Sequence, residues 1–175
     1  MKGKFISLCL IYAATMASSI LAQPTEQEIA REREQRAAMP DTTGSGAFAA
    51  MKQSVPMLTD HTIYRPANLN ALGNNQLGIY VFGNGGCTDD AASSRLHLLE
   101  IASHGYLVIV PGRLYSGPDS VERENPEETG FDGTRPEHLN QSIDWALTEN
   151  AREGSPYYNL IDPEAIAISG YSCGG

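Results

Sequence analysis

The chain has 175 residues, 41% of them hydrophobic, with 12 lysine and arginine residues against 21 aspartate and glutamate, a net charge of −9. That length suits one domain with a sizeable core. The acidic balance argues against nucleic acid or an anionic membrane surface as partner and leaves small neutral substrates open.

Lys2 and Lys4 precede an apolar stretch from Phe5 to about Ala14, and small residues continue to Ala22. This is the order of a secretory signal peptide, with cleavage expected after Ala22. The apolar part is too short for a membrane span. Without residues 1–22, 153 residues remain with 10 basic and 21 acidic side chains, a net charge of −11. Export predicts a secreted or periplasmic protein. In that oxidising compartment the two remaining cysteines, Cys87 and Cys173, can be bridged.

Residues 23–50 read as a polar leader. Thr25 and Glu28 form a capping box, and the charges and alanines that follow show no continuous apolar face, which predicts a solvated helix. Pro40 to Gly46 is turn-rich and reads as a linker. The folded domain is expected over residues 51–175. Residues 62–65 read as a strand ended by Pro66, and Asn68 to Asn75 as a loop. Residues 79–82 form a second strand, apolar throughout, as expected where both faces are covered. It runs into Gly83-Asn84-Gly85-Gly86-Cys87.

A helix is predicted from Thr88 or Asp89, with Ala92, Leu96, Leu99 and Ala102 as its apolar stripe and Gly105 as its stop. Residues 107–110 are a third strand, and 111–133 a long polar loop. Thr134 and Glu137 suggest a capping box, with Pro136 in the first turn of a helix that buries Leu139, Ile143, Ala146 and Leu147. Residues 166–169 have the length and β-branched content of a buried strand. Strands and helices alternating in this way predict an α/β fold, a mostly parallel sheet with helices on both faces.

The last strand leads directly into Gly170-Tyr171-Ser172-Cys173-Gly174-Gly175, a G-x-S-x-G pattern. A serine lifted off a sheet by a sharp strand-to-helix turn needs neighbours without a Cβ where the two elements approach. Serine catalysis needs a nucleophile, a base and donors for the developing oxyanion. Ser172 is the candidate nucleophile. The backbone N–H of Cys173 is one candidate donor, and that of Gly86 or Gly85 another. The 83–87 stretch lacks both the last glycine of a dinucleotide fingerprint and the lysine of a phosphate loop, so no cofactor is expected. No zinc spacing is present and no metal is expected. Asp89 and Asp90 read as dipole partners of a helix start.

On the 83–86 loop, the Ile101-Ala102-Ser103-His104-Gly105-Tyr106 helix exit and the 170–175 turn, the chain resembles the α/β-hydrolase superfamily. It looks most like the exported dienelactone-hydrolase, cutinase and polyester-hydrolase side. In those families an A-S-H-G-[YF] stretch leads into the fourth strand, and a proline-ended strand like residues 62–66 precedes the oxyanion strand. The resemblance covers about residues 44–175 and implies a serine, acid, histidine triad in that chain order. Here His61, His97, His104 and His138 all precede Ser172, and each reads as structural. The expectation is therefore the N-terminal half of an α/β-hydrolase, incomplete, whose triad acid and histidine lie beyond residue 175, so that this piece alone is inactive. The implied substrate is a small-molecule or polymer ester. A serine peptidase of the prolyl-oligopeptidase kind and a non-catalytic binding protein of the same fold are the alternatives. If that fold holds, Cys87 and Cys173 converge, either as a disulfide or as two free thiols.

Overall fold

Two central strands are apolar because both of their faces are covered. In β3 (Leu77–Gly83) and β4 (Tyr106–Pro111), side chains alternate between two separate cores. Ile79, Val81, Leu107 and Ile109 point into one, with Trp145, Ala146, Tyr157 and Ile161. Phe82, Val108 and Val110 point into the other, with Tyr64, Leu98, Leu99 and Ala102. The period of two explains why an uninterrupted apolar run is the right sequence for such a strand.

The computed structural model describes residues 23–123 and 134–175. The signal-peptide reading of residues 1–22 and much of the 111–133 loop lie outside them. The remaining strands are β1 (Ala50–Val55), β2 (Leu58–Pro66) and β5 (Ile161–Gly170), and the helices α1 (Glu26–Ala38), α2 (Arg95–Ser103) and α3 (Pro136–Ala151). The sheet is five-stranded in the order β1-β2-β4-β3-β5. β2 is antiparallel to both β1 and β4, whereas β3 is parallel to β4 and to β5. Four strands therefore share one direction and β2 alone opposes them. α2 packs on β1, β2 and β4, and α3 on the opposite core against β3 and β4. The expected α/β fold, mostly parallel with helices on both faces, is the observed one. Among the described residues, no helix is long and apolar enough to cross a membrane.

Several local expectations change. β1 escapes a pattern search because Met51-Lys52-Gln53-Ser54 carries no apolar alternation, and it forms by pairing with β2 across a two-residue turn at Pro56-Met57. The first crossover helix begins at Arg95, not at residue 88 or 89. Residues 88–94 are held in turns, with Ala91 N–H donating to Arg113 O at 2.9 Å and Arg113 N–H to Asp89 O at 3.0 Å. Its buried face includes Leu98 and Arg95, while Leu96 is only half-buried. The N-cap of α3 is Arg135 rather than Thr134, and the reach back to its N–H comes from His138 Nδ1 at 3.2 Å, not from Glu137.

The stretch 166–169 has the composition of a buried strand but stands as an exposed apolar edge, as expected of an incomplete doubly wound sheet. β5 is the outermost strand of the described sheet, and only Ile161 at its start enters the core. Ile166 and Ile168 stand 41% and 58% exposed beside Ile79 and Val81, which are fully buried.

The leader helix α1 has the expected capping box at Thr25 and Glu28 and no buried residue. The turn-rich segment after it is fastened, not loose. Arg95, 3% exposed, donates to the carbonyls of Arg36, Ala37 and Met39 at the end of α1 and pairs with Asp41 at 2.9 Å. A cation at a helix C-terminus satisfies carbonyls that have no partner within the helix. Ser45 is held by Glu100, whose carboxyl that hydrogen bond and one from His104 lower to about 2.

Candidate active site

β5 ends at Gly170, and the chain turns sharply through Tyr171 into a short 3₁₀ turn, Ser172–Gly174. Ser172 takes φ +52°, the left-handed region in which a side chain is strained by about 1–3 kcal/mol. Of the five described non-glycine residues with positive φ, three are Asp or Asn, which tolerate that region; the other two are Ser172 and Cys87. A G-x-S-x-G turn at a strand end holds its serine in such a strained conformation.

The glycines around it have a measurable reason. A Cβ on Gly170 would lie 2.0 Å from Gly174 O, one on Gly174 2.3 Å from the Gly83 carbonyl carbon, and one on Gly83 2.1 Å from Gly174 O. The elbow thus sits directly against the end of β3, where Tyr171 N–H donates to Gly83 O at 3.2 Å. Any side chain at these three positions would push the serine away from the loop that follows β3.

That loop is the second 3₁₀ turn, Gly85–Cys87, with Gly86 at φ +66° and Cys87 at φ +48°. A Cβ on Gly85 would meet Tyr171 Cδ1 at 2.4 Å, whereas one on Gly86 would meet nothing within 4 Å, so the apex faces open space. Cys87 and Cys173 form a disulfide, with Cα atoms 5.3 Å apart and a sequence separation of 86. Of the two alternatives left open by the sequence, the bridge is the one found. Gly85, Gly86, Cys87, Ser172 and Cys173 are therefore one cluster at the carboxyl ends of β3 and β5.

The acids nearby hold the loops. Asp89, 8% exposed, takes a bidentate pair from Arg123, both contacts at 2.6 Å, and the Arg123 guanidinium lies 3.8 Å over the Tyr115 ring. Arg123 keeps the Asp89 carboxyl below its usual range and is itself raised in return. Asp90 accepts from the N–H groups of Ala92 and Tyr115, each at 3.0 Å. Neither acid serves a helix start, because α2 begins later. Among the described residues no group of three or more ligating side chains could hold a metal.

None of the four histidines is joined to Ser172 among the contacts of the described residues. His61, 3% exposed, lies opposite Pro111 on β2, with its ring nitrogens 3.1 Å from Thr59 O and 3.2 Å from His138 O. β4 and β3 intervene between it and β5, about 14 Å at the usual strand spacing. The His138 ring stands edge-on to His61, and burial, with His61 and Arg135 beside it, lowers its pKa. His97 packs on Phe82, and His104 bonds Glu100 at 3.0 Å beyond the opposite end of the sheet.

Sequence reasoning missed the Arg123–Asp89 clamp, which joins residues 34 apart with no local pattern. It also missed Asn84, a fully buried amide between the strand and the glycines. Its signal was present: an asparagine at the entry of a glycine turn commonly bonds backbone nearby.

No family model matches the chain, and no curated protein matches it. Among solved structures it is similar to esterase B from Lactobacillus rhamnosis. The form solved with a C4-C4 SN3 tributyrin phosphonate gives a TM-score of 0.48 at 18% identity, covering 85% of this chain and 43% of that one. A second structure of esterase B, from strain HN001, gives 0.47 at 18% identity, covering 85% and 42%. The chain spans less than half the length of these esterases. Likeness at this level carries no functional argument, and the site must be judged on its own geometry.

Proposed function

We propose that the full-length protein is an exported serine hydrolase that cleaves carboxylic esters through an acyl-enzyme on Ser172. The observation that carries this reading is the left-handed Ser172, exposed at the end of β5, with its neighbours Tyr171 and Gly174 packed against the end of β3 and the glycine loop after it. Such backbone strain persists only where surrounding structure over-determines it, and here three glycine contacts and a disulfide do so.

In the proposed reaction Ser172 Oγ attacks the ester carbonyl carbon and its proton passes to a general base. The carbonyl oxygen takes up the negative charge against the N–H of Cys173 and that of Gly86 or Gly85. Collapse expels the alcohol, protonated by the same base, and water then releases the acid by the reverse sequence. The described histidines make their contacts elsewhere, and the resemblance implies a base and an orienting acid that come after the serine in chain order. The sequence resemblance to the dienelactone-hydrolase, cutinase and polyester-hydrolase side of the α/β-hydrolases supports this reading, and a small-molecule or polymer ester is the proposed substrate.

The test is a burst experiment on the full-length protein. A p-nitrophenyl ester of a short acid should release nitrophenol in a burst equal to the enzyme concentration, followed by slower turnover. Cleavage of a prolyl-peptide amide in preference to esters would point to the peptidase instead. Absence of turnover on both would favour a non-catalytic protein.

A further inference from the structure

The glycine loop is clamped by a residue to which the mechanism above gives no part. Asn84 stands between β3 and the Gly85–Cys87 turn and is 0% exposed. Its carboxamide nitrogen donates to Thr88 O at 3.0 Å and to Pro111 O at 2.7 Å. Both acceptors are carbonyls, which fixes the amide's orientation, since only its NH₂ end can serve them. The first bond closes the turn from its entry to its exit. The second ties it to the end of β4. The Asn84 backbone also lies close against the 172–174 turn, since a Cβ on Gly174 would lie 2.5 Å from Asn84 O. The side chain does not act as a helix cap, and among the described residues its Oδ1 has no hydrogen-bond partner although fully buried. A buried amide that leaves one end unsatisfied is costly, so its two donated bonds must repay that cost.

We propose that Asn84 is a positioning residue for the oxyanion site. Its two N–H bonds hold the turn, with its left-handed Gly86 and Cys87, in the one arrangement that presents the loop N–H to the substrate oxygen. The disulfide fixes the far end of the same turn at Cys87. The amide fixes its near end and its distance from β4. Without it the turn could relax while its covalent anchor stayed in place. This inference rests on the serine hydrolase reading and deepens it.

The experiment uses the full-length protein, its Asn84→Ala and Asn84→Asp variants, and a fluorophosphonate whose phosphoryl oxygen occupies the oxyanion site. Asp keeps the volume of Asn but offers carboxylate oxygens to two carbonyls. The second-order rate of Ser172 labelling should fall about 10–100-fold in both variants, the loss expected when a reacting group is misplaced by about an ångström. In ester turnover the loss should appear in kcat, with KM nearly unchanged. Each variant is scored only if it melts cooperatively. A purely structural role would lower the melting temperature and leave the labelling rate of folded protein at the wild-type value, which would overturn the proposal. Failure of both variants to fold cooperatively would also overturn it, by making the amide a clamp of the fold. If the unsubstituted protein is not labelled at Ser172, the hydrolase reading fails and the positioning role with it. Labelling of wild type and variants at equal rates sinks this inference alone.

Discussion

Ser172→Ala in the full-length protein is expected to lower ester turnover about 10⁶-fold in kcat while leaving substrate affinity nearly intact. A hydroxyl of ordinary acidity attacks an ester only when a base removes its proton and the oxyanion is met by fixed donors. Removing the nucleophile leaves the donors without an attacking atom. Members of such a unit act together, so one deletion costs nearly as much as deleting all of them, and a residual of about 10³–10⁴ over water remains from the oxyanion donors and binding. The substitution should not harm the fold, because Ser172 is exposed and its side chain makes no hydrogen bond among the described residues. Replacing a strained left-handed serine by alanine should leave the melting temperature within a few degrees. A loss of less than tenfold would remove Ser172 from the chemistry.

Reduction of the Cys87–Cys173 bridge, or the double substitution Cys87→Ser with Cys173→Ser, is expected to cost both stability and activity. The bridge closes a loop with a sequence separation of 86 residues, for which chain entropy gives about 4–5 kcal/mol. That is a large share of the stability of an ordinary domain. Its chemical effect follows from position. Cys87 ends the turn carrying one candidate donor, and Cys173 supplies the other while following the nucleophile. The bond holds two strained residues, Cys87 itself and Ser172 next to Cys173, in one register. Without it both can relax toward ordinary backbone angles, and preorganised stabilisation of the oxyanion weakens. A drop of many degrees in melting temperature with at least a tenfold fall in labelling rate is expected. Unchanged melting after reduction would mean that the bridge adds nothing to the folded state.

Much of this architecture was legible because its physics is local. The continuous apolar strands 79–82 and 107–110, and the glycine spacing at Gly170 and Gly174, need only their own side chains to be recognised. The convergence of Cys87 with Cys173 needed the sheet order as well, and the resemblance supplied it. What the sequence hid is non-local. β1 has no apolar alternation and exists through its pairing with β2. The seven residues before Arg95 look helical but are taken into turns by Arg113 and by the Asp89–Arg123 pair, contacts between distant loops. Residues 166–169 have a buried strand's composition, and their exposure follows from their place at the edge of an incomplete sheet. Arg95 was invisible because a cation inside an apolar stripe is read as solvent-facing, whereas here it collects the carbonyl ends of α1. At the site, the serine and the glycines were readable, and Asn84 and Arg123 were not, because their roles depend on what lies across the turn.

The central claim is that Ser172 is the nucleophile, and covalent capture tests it most directly. The full-length protein, treated with a fluorophosphonate and digested without reduction, should carry one phosphonyl group per chain. The adduct should sit on the peptide containing Ser172, still linked to the Cys87 peptide by its disulfide. Modification at another residue, or none under conditions where a known serine esterase is fully labelled, would contradict the account.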